Sequence, residues 1–248
     1  MKNYLHLIRR FIYIALGTID NMFGRTNPRV ILCYHSVERD GWIFSVTLES
    51  LEAHMRYMLS HYTPVRLADI TKNSKNTFAI TFDDGYKNIY STKKMFKKLG
   101  IRPTVFAISD TKQVNRKVLE ANLPLLSSVQ LQKLKKSGWD IGSHSKTHEL
   151  LDTLDTKSLR EQLYPTTKSF SYPKGRYSKR VVAAVKRAGY KIGVSMDDRL
   201  IDEKSDMLTL PRIGVNNTHS LSEFAVLASP SVVAFRANAK SIARLFRI

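Results

Sequence analysis

Two adjacent carboxylates end an apolar run in the first half of the chain. The run is FAITF, and it is followed by Asp83, Asp84 and Gly85. Neighbouring side chains of a strand point to opposite faces, so the two acids can share a site only if the pleat stops there. Gly85 is suited to stop it, because glycine accepts backbone angles that are closed to other residues. The segment is therefore either a strand capped by solvated acids or an acid pair placed for chemistry at a strand end.

A pair of histidines follows in the segment HSKTH. His144 and His148 are four residues apart, and at that spacing two imidazoles on one face of a helical turn can bind one metal ion. The spacing alone is weak evidence, but the preceding apolar segment WDIGS predicts that the histidines stand at a strand end, as the acids do. Two imidazoles and one carboxylate leave coordination positions for water and substrate. A second carboxylate could then act as the general base.

Alternating apolar segments and helical patterns must position these residues. Seven strands are predicted, at residues 30–35, 77–82, 103–108, 139–144, 168–173, 191–196 and within 207–215. Strands that alternate with helices are typical of parallel βαβ units. The sequence has no glycine fingerprint of a dinucleotide site, which favours closure into a barrel over an open doubly wound sheet. We therefore predict one α/β domain over residues 28–228, a single distorted (β/α) barrel of about seven parallel strands.

The charge of the chain restricts its partners more than its composition does. Its 248 residues include 40 Lys and Arg against 21 Asp and Glu, which gives a formal net charge of +19. A field of that sign attracts phosphate, anionic lipid head groups or acidic glycans. The single cysteine, Cys33, lies in the apolar segment VILCYH and is expected to be a buried core residue. An intramolecular disulfide is excluded, and the compartment stays open.

Both ends of the chain have basic amphipathic patterns. Residues 1–27 contain an apolar stretch from Phe11 to Ile19, which is shorter than the ~20 residues that span a bilayer. This segment predicts a helix that lies in a membrane interface or packs on the domain, and an uncleaved signal is a further alternative. Residues 229–248 predict a second basic helix, with cations at Arg236, Lys240, Arg244 and Arg247. An anionic membrane surface is thus an expected partner, and a peripheral membrane or cytoplasmic location is favoured over secretion.

Together the motifs resemble the polysaccharide deacetylases, the NodB-homology family of carbohydrate esterases. TFDDG and HSKTH carry the resemblance, which extends from about Pro28 to Phe224. The resemblance implies a NodB-like distorted barrel and hydrolysis of an N-acetyl group on an amino sugar. It also implies a divalent metal, usually Zn2+, with Co2+ or Ni2+ as alternatives. Asp83 would be the general base, and the metal ligands would be Asp84, His144 and His148.

The opening strand sharpens the resemblance. VILCYHSV resembles the first strand of the subgroup that deacetylates poly-N-acetylglucosamine-type exopolysaccharide, and the subgroup's general acid corresponds to His35. An amine is a poor leaving group unless it is protonated, so the chemistry requires such an acid. The alternative is a histidine that is hydrogen-bonded at the barrel rim.

The segment FSYPKG looks like this subgroup's version of the third family motif, where many relatives have an arginine. Ser171 stands at that position here, and Arg212 is predicted to supply the missing charge and hold Asp83 ionised. The Tyr172 backbone N–H is predicted to help hold the oxyanion. The alternatives are a structural salt bridge for Arg212 and a rigid turn for Tyr172. His219 precedes a predicted helix capped by Ser220, and we expect it on the surface.

Three functions follow from these observations. The first is a metal-dependent hydrolase that removes N-acetyl groups from amino sugars of a polysaccharide or glycoconjugate. The second is a deacylase of a lipid- or polyprenyl-phosphate-linked amino sugar at the membrane surface, which the charge and the termini favour. The third is a basic module that binds nucleic acid or anionic glycan without catalysis. Nucleic acid is disfavoured because the usual motifs are absent from the sequence and the basic residues are dispersed. The oligomeric state is left open.

Overall fold

Short apolar strands form the frame of the molecule. The computed structural model describes residues 2–26, 29–72, 76–119, 121–164 and 167–245, and the side chains of residues 2–4 and 240–245 lie outside this description. The strands are β1 Arg29–Tyr34, β2 Ser36–Val37, β3 Ser45–Val46, β4 Thr63–Pro64, β5 Thr77–Phe82, β6 Thr104–Ala107, β7 Asp140–Ser143, β8 Ser169–Ser171, β9 Ile192–Val194 and β10 Ile213–Gly214.

Helices occupy the connections between these strands and both ends of the chain. The α-helices are α1 Lys2–Met22, α2 Leu48–His61, α3 Lys93–Lys98, α4 Ser128–Lys136, α5 Thr156–Gln162, α6 Lys179–Arg187, α7 Leu221–Val226 and α8 Pro230–Leu245. Three of these helices, α4, α6 and α7, begin directly after a serine that caps them. Ser127, Ser178 and Ser220 each accept a hydrogen bond from a first-turn backbone N–H. The helix predicted after Ser220 is therefore present as α7.

Seven of the strands form one parallel sheet in the order β10-β1-β5-β6-β7-β8-β9. The short β4 pairs with the first residues of β5, and β6 pairs with the last ones. No ladder joins the edge strands β9 and β10 within the described part of the chain. Instead, residues 207–210 hydrogen-bond to β9 and then lead into β10. The sheet thus curls into a half-barrel, which confirms the predicted distorted α/β barrel.

The two strands at the centre of the chemistry are buried on both faces. Every residue of β1 and of β5 is buried, as expected of strands in a parallel sheet covered by helices. Because the strands are parallel, their carboxyl ends meet at one rim. His35 follows β1, Asp83 follows β5, His144 follows β7, and Ser171 ends β8. The predicted site residues therefore gather at that rim.

Helix α1 packs on the domain against α7 and α8. The carboxylate of Asp20 is fully buried and accepts hydrogen bonds of 2.7 Å from both the backbone N–H and the hydroxyl of Ser231. Asp20 thus caps the first turn of α8 from a different helix. Gly17 permits close approach, because a Cβ there would lie 2.4 Å from a methyl carbon of Val226.

The first arginine of α1 faces the domain rather than solvent. Arg9 lies 3.0 Å from the buried carboxylate of Glu223 and also donates to the backbone carbonyl of Thr218. Of the two main alternatives for residues 1–27, the structure gives a helix packed on the domain; Met1 and Asn27 lie outside the described residues.

The second terminal helix shows only part of its predicted basic face. Arg236 is mostly buried, and its Nε lies 3.0 Å from Asp198 Oδ1, so this cation is neutralised by the domain. Arg247 lies outside the described residues, as do the side chains of Lys240 and Arg244. The domain boundaries at residues 28 and 228 stay predictions.

A buried histidine connects α2 to α7. The ring of His54 stacks on Phe224 with centroids 3.9 Å apart, and its Nδ1 lies 3.2 Å from the Tyr34 hydroxyl. Burial lowers the pKa of His54 from 6.5 to about 4. The folded protein therefore keeps this ring neutral over a pH range in which the unfolded chain protonates it.

Acidification should weaken the fold through His54. Between about pH 6.5 and about pH 4 the unfolded state binds the extra proton, so the free energy of unfolding should fall as the pH falls, by on the order of 3 kcal/mol for this group. Above about pH 6.5 the contribution of His54 should be constant. Urea unfolding of wild type and His54→Gln across this range measures the difference in slope. The exposed His61 on the same helix supplies the control, His61→Gln. Equal slopes for wild type and His54→Gln would contradict the assignment.

Candidate metal and catalytic site

One carboxylate and two imidazoles converge at the rim. Asp84 Oδ1 lies 3.2 Å from Nε2 of His144 and 3.2 Å from Nε2 of His148. All three side chains are buried. One ligand atom from each lies within 4.8 Å of the other two. The residues that the sequence names as metal ligands are therefore brought together.

The chemistry of this donor set fits a divalent metal. His144 Nδ1 lies 2.8 Å from the Ser171 carbonyl oxygen. A carbonyl accepts only from a protonated nitrogen, so Nδ1 carries a hydrogen, and in the neutral ring Nε2 is then free to offer its lone pair to a metal on the side of Asp84. Bonds of about 2.1 Å in a tetrahedral site separate ligand atoms by about 3.4 Å, which is close to the separations found here. One carboxylate oxygen and two imidazole nitrogens suit zinc and the neighbouring first-row ions.

Extended strand conformation ends at Asp84 itself, and this change in backbone direction turns both acids into the site. Asp84 has φ +66° and Gly85 has φ +73°. Aspartate tolerates the left-handed region better than most residues do. The prediction that Gly85 alone stops the pleat is therefore incomplete. Gly85 is also confined, since a Cβ there would lie 3.3 Å from the backbone of Ala107.

The histidine segment is a loop and not a helical turn. His144 directly follows β7, and both Ser145 and His148 have φ +64°. The expectation that the two imidazoles share the face of a helix is wrong, although they do meet. Gln162 of α5 fixes the loop, because its backbone carbonyl accepts from Lys146 N–H and its side-chain oxygen accepts from Thr147 N–H.

The second aspartate is held by a fully buried arginine. Arg212 Nη1 lies 2.7 Å from Asp83 Oδ1, and Nη2 lies 2.6 Å from Asp83 Oδ2. The remaining N–H groups of the guanidinium donate to Thr81 Oγ1, to Ser171 Oγ and to the Ser195 carbonyl. The predicted contact between Arg212 and Asp83 is therefore present, and the arginine also has the structural role that was its alternative.

Charge partners keep both aspartates ionised. Burial alone would raise the pKa of Asp83, but the Arg212 guanidinium and His144 outweigh it and lower the pKa to about 2. Burial likewise opposes ionisation of Asp84, yet the contacts with His144 and His148 lower its pKa well below the usual range. Two negative carboxylates thus lie side by side, one facing an arginine and one facing the histidine pair.

A pocket of about 150 Å³ opens over these groups. Besides the two aspartates and the two histidines, it is lined by His35, Trp42, Phe44, Leu119, Lys174, Gly175 and Met196. His35 lies with its ring 5.1 Å from that of Phe44, and burial lowers its pKa. Among the described residues its Nδ1 has no hydrogen-bond partner. The alternative of a hydrogen-bonded rim histidine is not favoured at this nitrogen.

Tyr172 and His219 do not reach the pocket. The Tyr172 backbone N–H donates to the Val194 carbonyl at 3.2 Å, and its hydroxyl donates to the Leu208 carbonyl at 2.8 Å. Both donors are used in the fold, so the structure does not support the oxyanion role, and the rigid-turn alternative describes Tyr172 better. His219 was expected on the surface; it is half-buried and accepts from the Asn216 backbone N–H.

A larger cavity, of about 700 Å³, lies at the opposite rim, where the strands begin. Its lining includes Thr104 and Asp140, the first residues of β6 and β7. None of the predicted site residues lines it. Size alone therefore does not identify the site, whereas the convergence of ionisable groups does.

Comparison with known proteins gives sequence matches to one family and a structural likeness that shows the fold. The family model described as polysaccharide deacetylase matches residues 71–193. Over these residues the chain is similar to the polysaccharide deacetylase family. Within the matched residues lie both aspartates and both histidines of the site.

Relatives of this deacetylase family cover most of the chain. It is 29% identical over 214 residues to the polysaccharide deacetylase-like protein YxkH of Bacillus subtilis, covering 78% of this chain and 74% of the relative. It is 26% identical over 197 residues to a Staphylococcus epidermidis protein named poly-β-1,6-N-acetyl-D-glucosamine N-deacetylase, covering 70% and 66%. A Streptococcus pyogenes deacetylase, solved in complex with acetate, superposes with a TM-score of 0.70 at 17% identity, covering 82% and 99%. This last likeness shows the fold.

Sequence reasoning missed the part played by Ser171. It treated the residue only as a lost arginine, but the Ser171 hydroxyl donates to Asp83 Oδ2 at 3.0 Å while its carbonyl accepts from His144. One residue thus orients both the aspartate and a candidate metal ligand. The available signal was its position at a strand end beside the third motif, where a small side chain leaves room for an arginine from elsewhere.

Removal of the arginine should destabilise the protein strongly. We expect Arg212→Met to lower the free energy of unfolding by about 3–5 kcal/mol, because it leaves the Asp83 carboxylate buried and unpaired. Adding Asp83→Asn should recover part of the loss, since the amide carries no charge. Urea unfolding of wild type, both single variants and the double variant measures the coupling.

An exposed ion pair provides the matched control for that cycle. Arg176 lies 2.8 Å from Asp152, and half of its side chain is exposed. We expect Arg176→Met to cost less than about 1 kcal/mol. Additive losses at Arg212 and Asp83, or equal losses at Arg212 and Arg176, would contradict a buried charge pair.

Proposed function

We propose that this protein is a metal-dependent hydrolase that removes N-acetyl groups from amino sugars of a polysaccharide or glycoconjugate. The observation that carries the proposal is the convergence, in one pocket, of a carboxylate and two imidazoles with a second ionised carboxylate beside them. Similarity to the polysaccharide deacetylase family supports the reaction class. The names of the staphylococcal relatives support an N-acetylglucosamine polymer as the substrate class.

Asp84, His144 and His148 would hold the ion, with Zn2+ as our first choice and Co2+ or Ni2+ as alternatives. When bound, a divalent ion supplies Lewis acidity to the acyl carbonyl and to the attacking water. His144 is oriented for this by its bond to the Ser171 carbonyl. Support of this kind fixes both the tautomer and the ring plane of a ligand.

Asp83 is the proposed general base, and Arg212 is the residue that positions it. The carboxylate would accept a proton from the attacking water as the water oxygen bonds to the acyl carbon. The two-pronged contact with Arg212 holds the Asp83 carboxylate plane and keeps it ionised. Arg212 lies behind Asp83 and does not line the pocket, so its role is to act through the aspartate.

His35 is the proposed general acid. Its ring lies in the pocket wall among Trp42 and Phe44. As the C–N bond of the amide breaks, His35 in its protonated form would donate its proton to the departing nitrogen, while Asp83 holds the proton taken from the water. Acetate would then leave, and the free amino group would stay on the sugar. The flanking aromatic rings exclude water from that side of the pocket and offer apolar faces to a sugar ring.

Acetate release is the direct test of this function. Purified protein supplied with Zn2+ should release acetate from N-acetylglucosamine oligomers, measured beside a polyprenyl-phosphate-linked N-acetylated sugar. Release from the free oligomer supports the proposal, and release only from the lipid-linked sugar supports the second function instead. The staphylococcal relatives give no support to that alternative. No release from either substrate, with bound metal confirmed by elemental analysis, would sink the proposal.

Two substitutions should separate base from ligand. Asp83→Asn should keep the metal but lose turnover by about two to four orders of magnitude, because the amide cannot take a proton. His144→Ala should lose both metal and turnover. His61→Ala, at an exposed histidine outside the pocket, is the matched control and should change neither. Equal metal loss in Asp83→Asn and His144→Ala would refute the division of roles.

A further inference from the structure

The outward face of α1 is apolar. Residues 5–23 contribute half of the large hydrophobic side chains described as exposed, namely Leu5, Leu7, Ile8, Phe11, Ile19, Met22 and Phe23. Residues three or four apart on a helix lie on one face. Ile8, Phe11, Ala15, Ile19 and Met22 have that spacing, and we call them the outer stripe. Phe11 is 76% exposed and Met22 is 77% exposed. Contiguous exposed apolar surface of this kind marks an interaction site.

The helix is fixed to the domain and cannot roll to hide the outer stripe. Its other face carries the ion pair of Arg9 with Glu223, the double hydrogen bond from Ser231 to Asp20, and Gly17 against Val226. To bury the stripe, the helix would have to break these contacts and leave the carboxylates of Asp20 and Glu223 without their partners. The stripe is therefore a permanent feature of the folded surface.

The charges around the outer stripe are positive. Asp20 is the only acid among residues 2–26, and it is buried. Arg10, near the middle of α1, and Arg25, three residues beyond its end, are both exposed. The whole chain has a formal net charge of +19. An apolar ridge flanked by cations is complementary to anionic head groups above a hydrocarbon layer.

A second copy of the chain fits this surface less well. Two molecules of +19 repel each other at long range, whereas an anionic bilayer attracts one. The helix is about 30 Å long, so its single outer face offers on the order of 300 Å². A stable protein interface needs about 800 Å² from each partner.

We propose that the outer stripe of α1 docks on a bilayer that contains anionic lipid, with the helix lying in the plane of the head groups. Among the described residues, no helix is long and apolar enough to cross a membrane. A surface position is what the stripe requires, since only one side of α1 is free. This proposal does not depend on the reaction at the pocket.

The direction of α1 gives the docked orientation. Its last turn leads by a short connection to the start of β1, at the rim opposite the pocket. Arg9 contacts Thr218, which follows the carboxyl end of β10 at the pocket rim. The helix therefore runs alongside the half-barrel from the pocket rim to the far rim. Docked through the outer stripe, the barrel lies on its side, and the pocket opens along the membrane surface.

Flotation with vesicles tests the docking. Full-length protein is mixed with vesicles of phosphatidylcholine alone or with phosphatidylglycerol added, and bound protein is recovered after centrifugation. We expect recovery with the anionic vesicles, and a fall in the partition coefficient of about tenfold for Phe11→Ser, which removes one inserted aromatic side chain. Tyr164→Ser is the matched control, because Tyr164 is 70% exposed and lies outside α1. It should bind as wild type does.

Three results would overturn the proposal. They are no recovery of wild type with anionic vesicles, equal losses for Phe11→Ser and Tyr164→Ser, and a concentration-dependent dimer in ultracentrifugation that Phe11→Ser abolishes. The last would make a second copy the occupant of the stripe. Acetate release from a soluble oligomer should be the same in wild type and Phe11→Ser. A failure of docking can thus be told apart from a failure of the proposed reaction.

Discussion

The ion pair of Arg212 with Asp83 is the interaction on which the rim depends. Moving two charges out of water costs several kcal/mol for each ion, and only complete pairing repays that cost. All five N–H groups of the guanidinium have an acceptor here, two of them on the aspartate itself. These acceptors lie in β5 and on the residue after it, in β8, and on the residue after β9, while Arg212 directly precedes β10. The arginine thus ties the two sheet edges together where the described residues form no continuous ladder, and it places a negative oxygen beside the metal-ligand set.

Above this regular frame, the site is built from backbone that departs from regular structure. Asp84, Ser145, His148 and Lys174 all have positive φ without being glycine. Such residues cost free energy and persist only where their surroundings enforce them. Hydrogen bonds from Lys146 and Thr147 to Gln162 do this for the histidine loop. The strands therefore fix where the site residues stand, and the strained backbone at the strand ends orients their side chains. As a result, the side chains that follow β5 and β7 meet over one pocket.

Much of this could be predicted from the sequence, and the failures have a common cause. The strand at 77–82 is observed as predicted, because a buried parallel strand is a continuous apolar run. The long segment 207–215 yields only β10 at Ile213–Gly214, since its first part crosses between sheet edges. The chemistry of the site followed from residue types at strand ends. The helical geometry at HSKTH was wrong, and the structure does not support the oxyanion role of Tyr172. Both depend on hydrogen bonds to residues distant in sequence, Gln162 and Val194, that no local pattern reveals.

The amphipathic sequence of α1 is compatible with two orientations on the domain, one that buries its apolar side chains and one that buries its polar ones. A helix that served only to stabilise the domain would bury its apolar side chains and expose its charges. Here Arg9 and Asp20 face inward, and each has a specific partner, which fixes the register of α1 on α7 and α8. Ile8, Phe11 and Met22 are left outside. Buried polar contacts are satisfied in only one arrangement, whereas apolar contacts tolerate many. The polar groups of α1, together with the apolar packing of Tyr13 and Leu16 on the core, therefore define where the helix sits. Its remaining apolar side chains are left for the lipid surface proposed above, a partner that has no fixed geometry.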